Sequence, residues 1–196
     1  MTSLYDKRRN KTIATSWYNI KCKIKWAKVY EPDEYAGAKR YMVNAYPVDG
    51  AEWEKVQKSG VQLQTKEDTD GKYITLRRPV SKVIKDDLVI FCPPEITGAV
   101  EVHYVGKDGQ KVRSYTKGDN TAERVGDPVV LANGTLAIVN FCAYDTKQGR
   151  GSRLESLKIL DLVSMDDIKE QKVSEEDTAE EEVVVSNEEK GDDIPW

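Results

Sequence analysis

The sequence predicts an all-β body, a small closed barrel or sandwich with one short helix, followed by a disordered acidic tail. Three observations carry this expectation. Strand-like runs dominate the body, glycine-bearing turns separate them, and the composition changes abruptly from Asp166. The length of 196 residues fits one domain, residues 1–165, with an appendage, residues 166–196.

The first run is Trp17 to Tyr30 (WYNIKCKIKWAKVY). Its middle alternates, with Ile20, Cys22, Ile24 and Trp26 on one face and Lys21, Lys23 and Lys25 on the other. That alternation assigns Trp26 to the core. Arg40 to Val48 is the second run. Ala51 to Lys58 then reads as a short helix, closed at Gly60, where glycine accepts the left-handed cap conformation, and Trp53 lies on the face that packs down. Lys72 to Arg78 is the next strand. Val100 to Val105 and Lys111 to Tyr115 flank Lys107-Asp108-Gly109-Gln110, a hairpin signal because both central positions of that turn need positive φ. Val129 to Ala132, Asn133-Gly134 and Thr135 to Tyr144 read as a second hairpin. Arg153 to Val163 closes the body as its last strand.

Charge divides the chain at the same place. The overall net charge is −4, but residues 166–196 hold 13 acidic and 3 basic side chains, a net of −10, which leaves +6 on the body. A basic body joined to an acidic tail is the pattern of a polyanion binder whose appendage mimics its ligand. The tail has one apolar cluster, Val183-Val184-Val185, too little to offset the entropy of ordering it. Cys22, Cys92 and Cys142 are odd in number and include no CxxC pair. They are expected as buried apolar residues in a reducing cytoplasm, not as zinc ligands or disulfides. The N-terminal MTSLYDKRRNKT is followed by no apolar run, so it does not read as a secretory signal. The longest uncharged stretch, Pro128 to Tyr144, is too polar to span a membrane.

An enzyme is not expected, and neither is a cofactor. His103 is the sole histidine, so neither a His–Cys nucleophilic pair nor a thiolate–imidazole metal site can be built, and no GxxxxGK[ST] loop offers a phosphate cradle. The carboxylates Asp86, Asp87, Asp119 and Asp127 could serve a metal-dependent nuclease, yet they stand at turn-like positions where a solvated carboxylate is the ordinary case. Binding is better provided for. Tyrosines recur beside cations, as in Arg40-Tyr41, Lys72-Tyr73 and Arg113 with Tyr115. A single nucleic-acid strand needs cations along its phosphates and aromatic faces under its bases. At the far end, Gly191-Asp192-Asp193-Ile194-Pro195-Trp196 combines negative charge, an apolar ring and a carboxylate, a tip suited to a pocket with a basic rim.

That tip resembles the end of bacterial single-stranded-DNA-binding proteins, with Trp196 where they carry phenylalanine. The body resembles the single-stranded-DNA-binding proteins of tailed-phage replication systems, through KRYMVNAYPV, GKYITLRRPV and LANGTLAIVNFCAYDTKQGRGSRLESLKILDLV. The resemblance implies an OB-fold, a five-stranded partly open barrel that binds oligonucleotides on a strand face. It implies sequence-independent binding and protection of single-stranded DNA in phage replication, recombination and repair, in the cytoplasm of an infected bacterial host. It also implies tail contacts with the replicative DNA polymerase and other replisome proteins, and a homodimer in some relatives. On this reading Tyr41, Tyr73 and Tyr144 stack bases. Lys21, Lys23, Lys25, Arg77, Arg78, Lys147, Arg150 and Arg153 hold phosphates, and Asp192, Asp193, Ile194, Pro195 and Trp196 dock partners. An RNA-binding barrel and a non-enzymatic adaptor are the alternatives.

Overall fold

The computed structural model describes residues 15–163 apart from 36, 85, 119, 120 and 147. The acidic tail, its Asp192–Trp196 tip, Lys147 and Asp119 therefore lie outside the described residues. The elements are β1 (Thr15–Tyr35), β2 (Ala38–Pro47), α1 (Gly50–Lys58), β3 (Lys66–Asp68), β4 (Gly71–Pro79), β5 (Ser81–Ile84), β6 (Asp87–Phe91), β7 (Glu95–Gly98), β8 (His103–Val105), β9 (Ser114–Thr116), β10 (Glu123–Val125), β11 (Leu136–Thr146) and β12 (Gly149–Asp161). The described residues are thus mostly strand with one helix. The main sheet runs β3-β4-β2-β1-β11-β12-β7, antiparallel except between β12 and β7, and β5-β6-β9 and β10-β8 form two smaller sheets.

Alternation builds the core. Ile20, Cys22 and Ile24 of β1, Val43 and Ala45 of β2, Ile74 and Leu76 of β4, Val139 and Phe141 of β11, and Leu154 and Leu157 of β12 all face inward. Burying each of the larger side chains stabilises the fold by roughly 1.5–3 kcal/mol. Helix α1 starts where the Asp49 side chain accepts from the backbone N–H of Glu52 at 2.9 Å, a cap worth about 1 kcal/mol, and Gly60 follows its end at φ 66°. Its Val56 is buried in the core and Trp53 packs against it, as the sequence led one to expect.

The main sheet is not closed by a backbone ladder, but a buried side chain joins β4 to β12. Arg78, 2% exposed, donates from Nη1 to the Leu154 carbonyl at 3.2 Å and to Glu155 Oε2 at 3.0 Å. Its Nε donates to the Cys92 carbonyl and its Nη2 to the Arg113 carbonyl, both at 2.8 Å. Glu155 can reach it because β12 carries an extra residue there: Asn140 and Phe141 are consecutive, while their partners are Ser156 and Leu154.

Two expectations are corrected. Trp26 is 63% exposed rather than in the core. Lys25 and Lys28 of β1 oppose Asn44 and Met42 of β2, so β1 holds one extra residue in this stretch. Trp26 absorbs the irregularity at φ 52°, after which Val29 becomes the inward residue. For a bulky residue that left-handed backbone is an outlier, costing roughly 1–2 kcal/mol. Secondly, Val129 to Ala132 forms no strand, because both edges of β11 are taken by β1 and β12. The Asn133-Gly134 turn instead clasps β1, with Gly134 N–H donating to the Ile24 carbonyl at 3.0 Å and Ile24 N–H to the Thr135 carbonyl at 2.9 Å.

Candidate nucleic-acid interface

The side of β1, β2 and β4 that faces away from the core carries three cross-strand rows. The first is Lys23, Tyr46 and Tyr73, whose two rings stack with centroids 4.8 Å apart; Tyr46 is itself buried, which leaves Tyr73 as the more accessible ring. Lys25, Asn44 and Thr75 make the second, tied by the Thr75 hydroxyl donating to Asn44 Oδ1 at 2.8 Å. The third is Lys28, Met42 and Arg77. Lys21, Lys23, Lys28 and Arg77 are all exposed. Period-2 geometry thus lines β1 with cations along a polar and aromatic strip, with Arg77 of β4 across from Lys28.

Two carboxylates temper this face. Lys25 pairs with Asp70 and sits 5.1 Å from the Tyr46 ring centre, so its charge is already engaged. The Tyr46 hydroxyl donates to Asp68 at 2.5 Å. Burial, reinforced by that carboxylate, pushes the Tyr46 hydroxyl pKa up, while the bond it receives holds the Asp68 carboxyl below the ordinary value. The tyrosine ring is fixed rather than free to swing.

A second aromatic cluster lies further along the same outward side of β1, on the sequence Trp17, Asn19, Lys21, Lys23. Trp17 is 56% exposed, with the Arg113 guanidinium 5.7 Å from its ring centre. Tyr144 pairs with Thr15 and Gly151, and a Cβ added at Gly151 would come within 3.3 Å of the Tyr144 ring, which therefore lies across the glycine. From Trp17 to Lys23 is about 20 Å at the strand rise.

The remaining sequence-predicted site residues separate. Tyr73 and Arg77 stand in the outer rows with Lys21 and Lys23 nearby, and Tyr144 stands in the second cluster. Tyr41 is corrected: it is 6% exposed and faces inward opposite Arg78, so no base can reach its ring. Arg78 is corrected likewise, since all its bonds are internal. Burial lowers its pKa, opposed by Glu155, yet a guanidinium stays charged. Arg153 pairs with the same Glu155 and lies 5.5 Å from the Phe91 ring centre. Burial alone would lower its pKa, and the bond to Glu155 outweighs that and raises it. Arg150 donates to the Ser16 hydroxyl at 2.8 Å and is only half-buried.

Tyr46, Lys28, Trp17 and Arg113 were not among the sequence-predicted site residues. Tyr46 falls on the opposite side from Val43 and Ala45, and Trp17 on the same side as Lys21, so alternation could have found both. Lys28 lies beyond the irregularity at Trp26, and Arg113 reaches Trp17 only through the tertiary fold.

Elsewhere, a cleft of about 260 Å³ is lined by Arg78, Glu95, His103, Tyr104, Lys111 and Glu155, among others. His103 Nδ1 stands 3.7 Å from Glu101, and Lys111 is bonded to Glu95 at 2.8 Å. Among the described residues no group of three or more His, Cys, Asp or Glu side chains is placed to hold a metal ion, and no helix is long and apolar enough to cross a membrane.

No family model matches the chain, and neither does any curated protein. A similar solved structure is the crystal structure of gp2.5, a single-stranded DNA binding protein encoded by bacteriophage T7. It is 12% identical, with a TM-score of 0.49 over 93% of this chain and 100% of that one.

Proposed function

We propose that this chain binds single-stranded DNA without sequence preference and without chemistry, along the outer face of β1, β2 and β4 and on toward Trp17. The observation that carries the reading is the set of three cross-strand rows, which put exposed Lys23 beside a stacked tyrosine pair and exposed Lys28 and Arg77 on either side of Met42 on the same face. Phosphates neutralised by lysine and arginine release their counterions. Aromatic faces accept any unpaired base, at roughly 1–3 kcal/mol per stacked base. Lys21, Lys23, Lys28 and Arg77 hold the backbone, with Lys147 as a further phosphate ligand. Tyr73 and Tyr144 offer stacking faces, and Arg150 and Arg153 border the second cluster.

In this reading β1, β2, β4, β11 and β12 form an OB-type barrel. Their spatial order, β4-β2-β1-β11-β12, and the Arg78 link between its two outermost strands support that assignment. Residues 166–196 serve as an acidic arm whose Asp192–Trp196 tip recruits the replicative polymerase and other replisome proteins. The setting is phage DNA replication, recombination and repair in the host cytoplasm, where the chain acts alone or as a homodimer.

The test is a titration of fluorescent oligo-dT at two salt concentrations, with duplex DNA and an RNA of equal length as competitors. Tight binding, weakened by salt and resistant to duplex, is the expected result. Equal competition by RNA would move the assignment to an RNA-binding barrel. No binding by the full chain, nor by a chain lacking residues 166–196, would leave an adaptor in its place.

A further inference from the structure

The residue that interrupts β1 is the least expected one for its position. A strand irregularity with a left-handed backbone is ordinarily filled by glycine, which has no Cβ to collide with the carbonyl. Here it is filled by tryptophan, and most of the residue is left to solvent: Trp26 is 63% exposed. Its backbone is nevertheless pinned. The Trp26 N–H donates to Asn133 Oδ1 at 2.9 Å, and two backbone bonds join Ile24 to Gly134 and Thr135 beside it. A strained conformation held by its surroundings, carrying a large exposed ring, points toward a binding role.

Its place on the interface says what the ring meets. Trp26 is inserted between the second row, which starts at Lys25, and the third, which starts at Lys28 and ends at exposed Arg77. Exposed Lys28 therefore follows an apolar plate in the chain, with Arg77 in the same row, while Lys25 before it is held by Asp70. We propose that Trp26 is a stacking platform for one unpaired base of the bound strand. The irregularity in β1 lifts the ring out of the sheet while Lys28 and Arg77 hold phosphates beside it. This rests on the single-strand reading above and assigns it a residue that alternation alone sends to the core. A partner protein would also cover an exposed ring, but the neighbouring cations favour a polyanion carrying flat apolar bases.

The same backbone supplies a clean variant. Glycine at position 26 keeps the irregularity and relieves its strain, so Trp26→Gly removes the ring without disturbing the sheet. Oligo-dT affinity and the urea unfolding midpoint are measured for wild type, Trp26→Gly and Trp26→Phe at one salt concentration. The expected result is an affinity loss of about five- to 150-fold for the glycine variant, the equivalent of one stacked base. The phenylalanine variant should fall between, and the glycine midpoint should be equal to wild type or higher. A midpoint that falls together with affinity would make the ring structural and overturn the proposal. If wild type binds and the glycine variant binds equally well, Trp26 leaves the interface while the wider reading stands. If wild type binds no oligonucleotide, both fall.

Discussion

Replacing Arg78 with alanine separates a structural role from a DNA-binding one. The side chain is 2% exposed, and that of Glu155 is 3% exposed. Losing the guanidinium strands one carboxylate oxygen and takes a donor from the carbonyls of Cys92 and Leu154, while the Arg113 carbonyl keeps the Cys92 N–H. Removing one partner of a buried ion pair costs about 3–5 kcal/mol. Arg153 still bonds the other Glu155 oxygen, which places the loss near the lower end, about 3 kcal/mol. For a chain of this length that corresponds to a fall in Tm of roughly 6–12 °C. Urea unfolding followed by circular dichroism reads the loss directly. Oligonucleotide affinity, measured where the variant is still folded, should stay near wild type. Arg78→Met with Glu155→Leu should recover much of the stability, because a well-packed apolar pair offsets a buried ionic one. The reasoning is refuted if Arg78→Ala unfolds at the wild-type midpoint yet binds oligo-dT more weakly; the guanidinium would then belong to the phosphates.

Two further outcomes are expected. Replacing Lys21, Lys23 and Arg77 together by alanine should leave the unfolding midpoint unchanged and flatten the dependence of log affinity on log salt by about 0.7 per lost phosphate contact, or about 2 in all; an unchanged slope would place the strand elsewhere. The three thiols should resist a thiol reagent at pH 8 in the native protein and react fully in denaturant. Burial raises all of them, Cys22 to about 12 and Cys142 to about 11, and it also shields the three sulfurs from the reagent. A fast-reacting thiol in the native protein would contradict this.

Much of the fold was legible wherever one rule held without interruption. Alternation placed Ile20, Cys22 and Ile24 inside and the neighbouring lysines outside, and Gly60 marked the end of the helix, while its Asp49 cap went unread. The same rule, applied to β2 and β4, already separates the site residues: Val43 and Ala45 carry Tyr41 inward, and Ile74 and Leu76 carry Arg78 inward, leaving Tyr46, Tyr73 and Arg77 outward. The likeness to a binding family drew attention to tyrosines and arginines as types, and type does not tell which side a residue faces. What stayed hidden was non-local. Nothing near Arg153-Leu154-Glu155 announces that a glutamate will turn inward to meet an arginine from β4. Nothing near Trp17 announces Arg113. The Val129–Ala132 strand was lost because strand pairing is a competition, and β1 and β12 had already filled both sides of β11.

The extra residues at Trp26 and Glu155 also set what kinds of change this body can absorb. Trp26 in β1 and Glu155 in β12 each put the rest of their strand out of phase with what precedes it. One turns a ring to water and the other turns a charge to the core. Exchanging either residue alters a single side chain. Omitting Trp26 would set Lys25, Ala27 and Lys28 opposite Asn44, Val43 and Met42 in unbroken register, with Val29, now 1% exposed, still inward and Lys28 still outward. At these two points a strand can lose its extra residue and keep its pairing, so a chain shortened there should fold and lose only the ring of Trp26 or the carboxylate of Glu155.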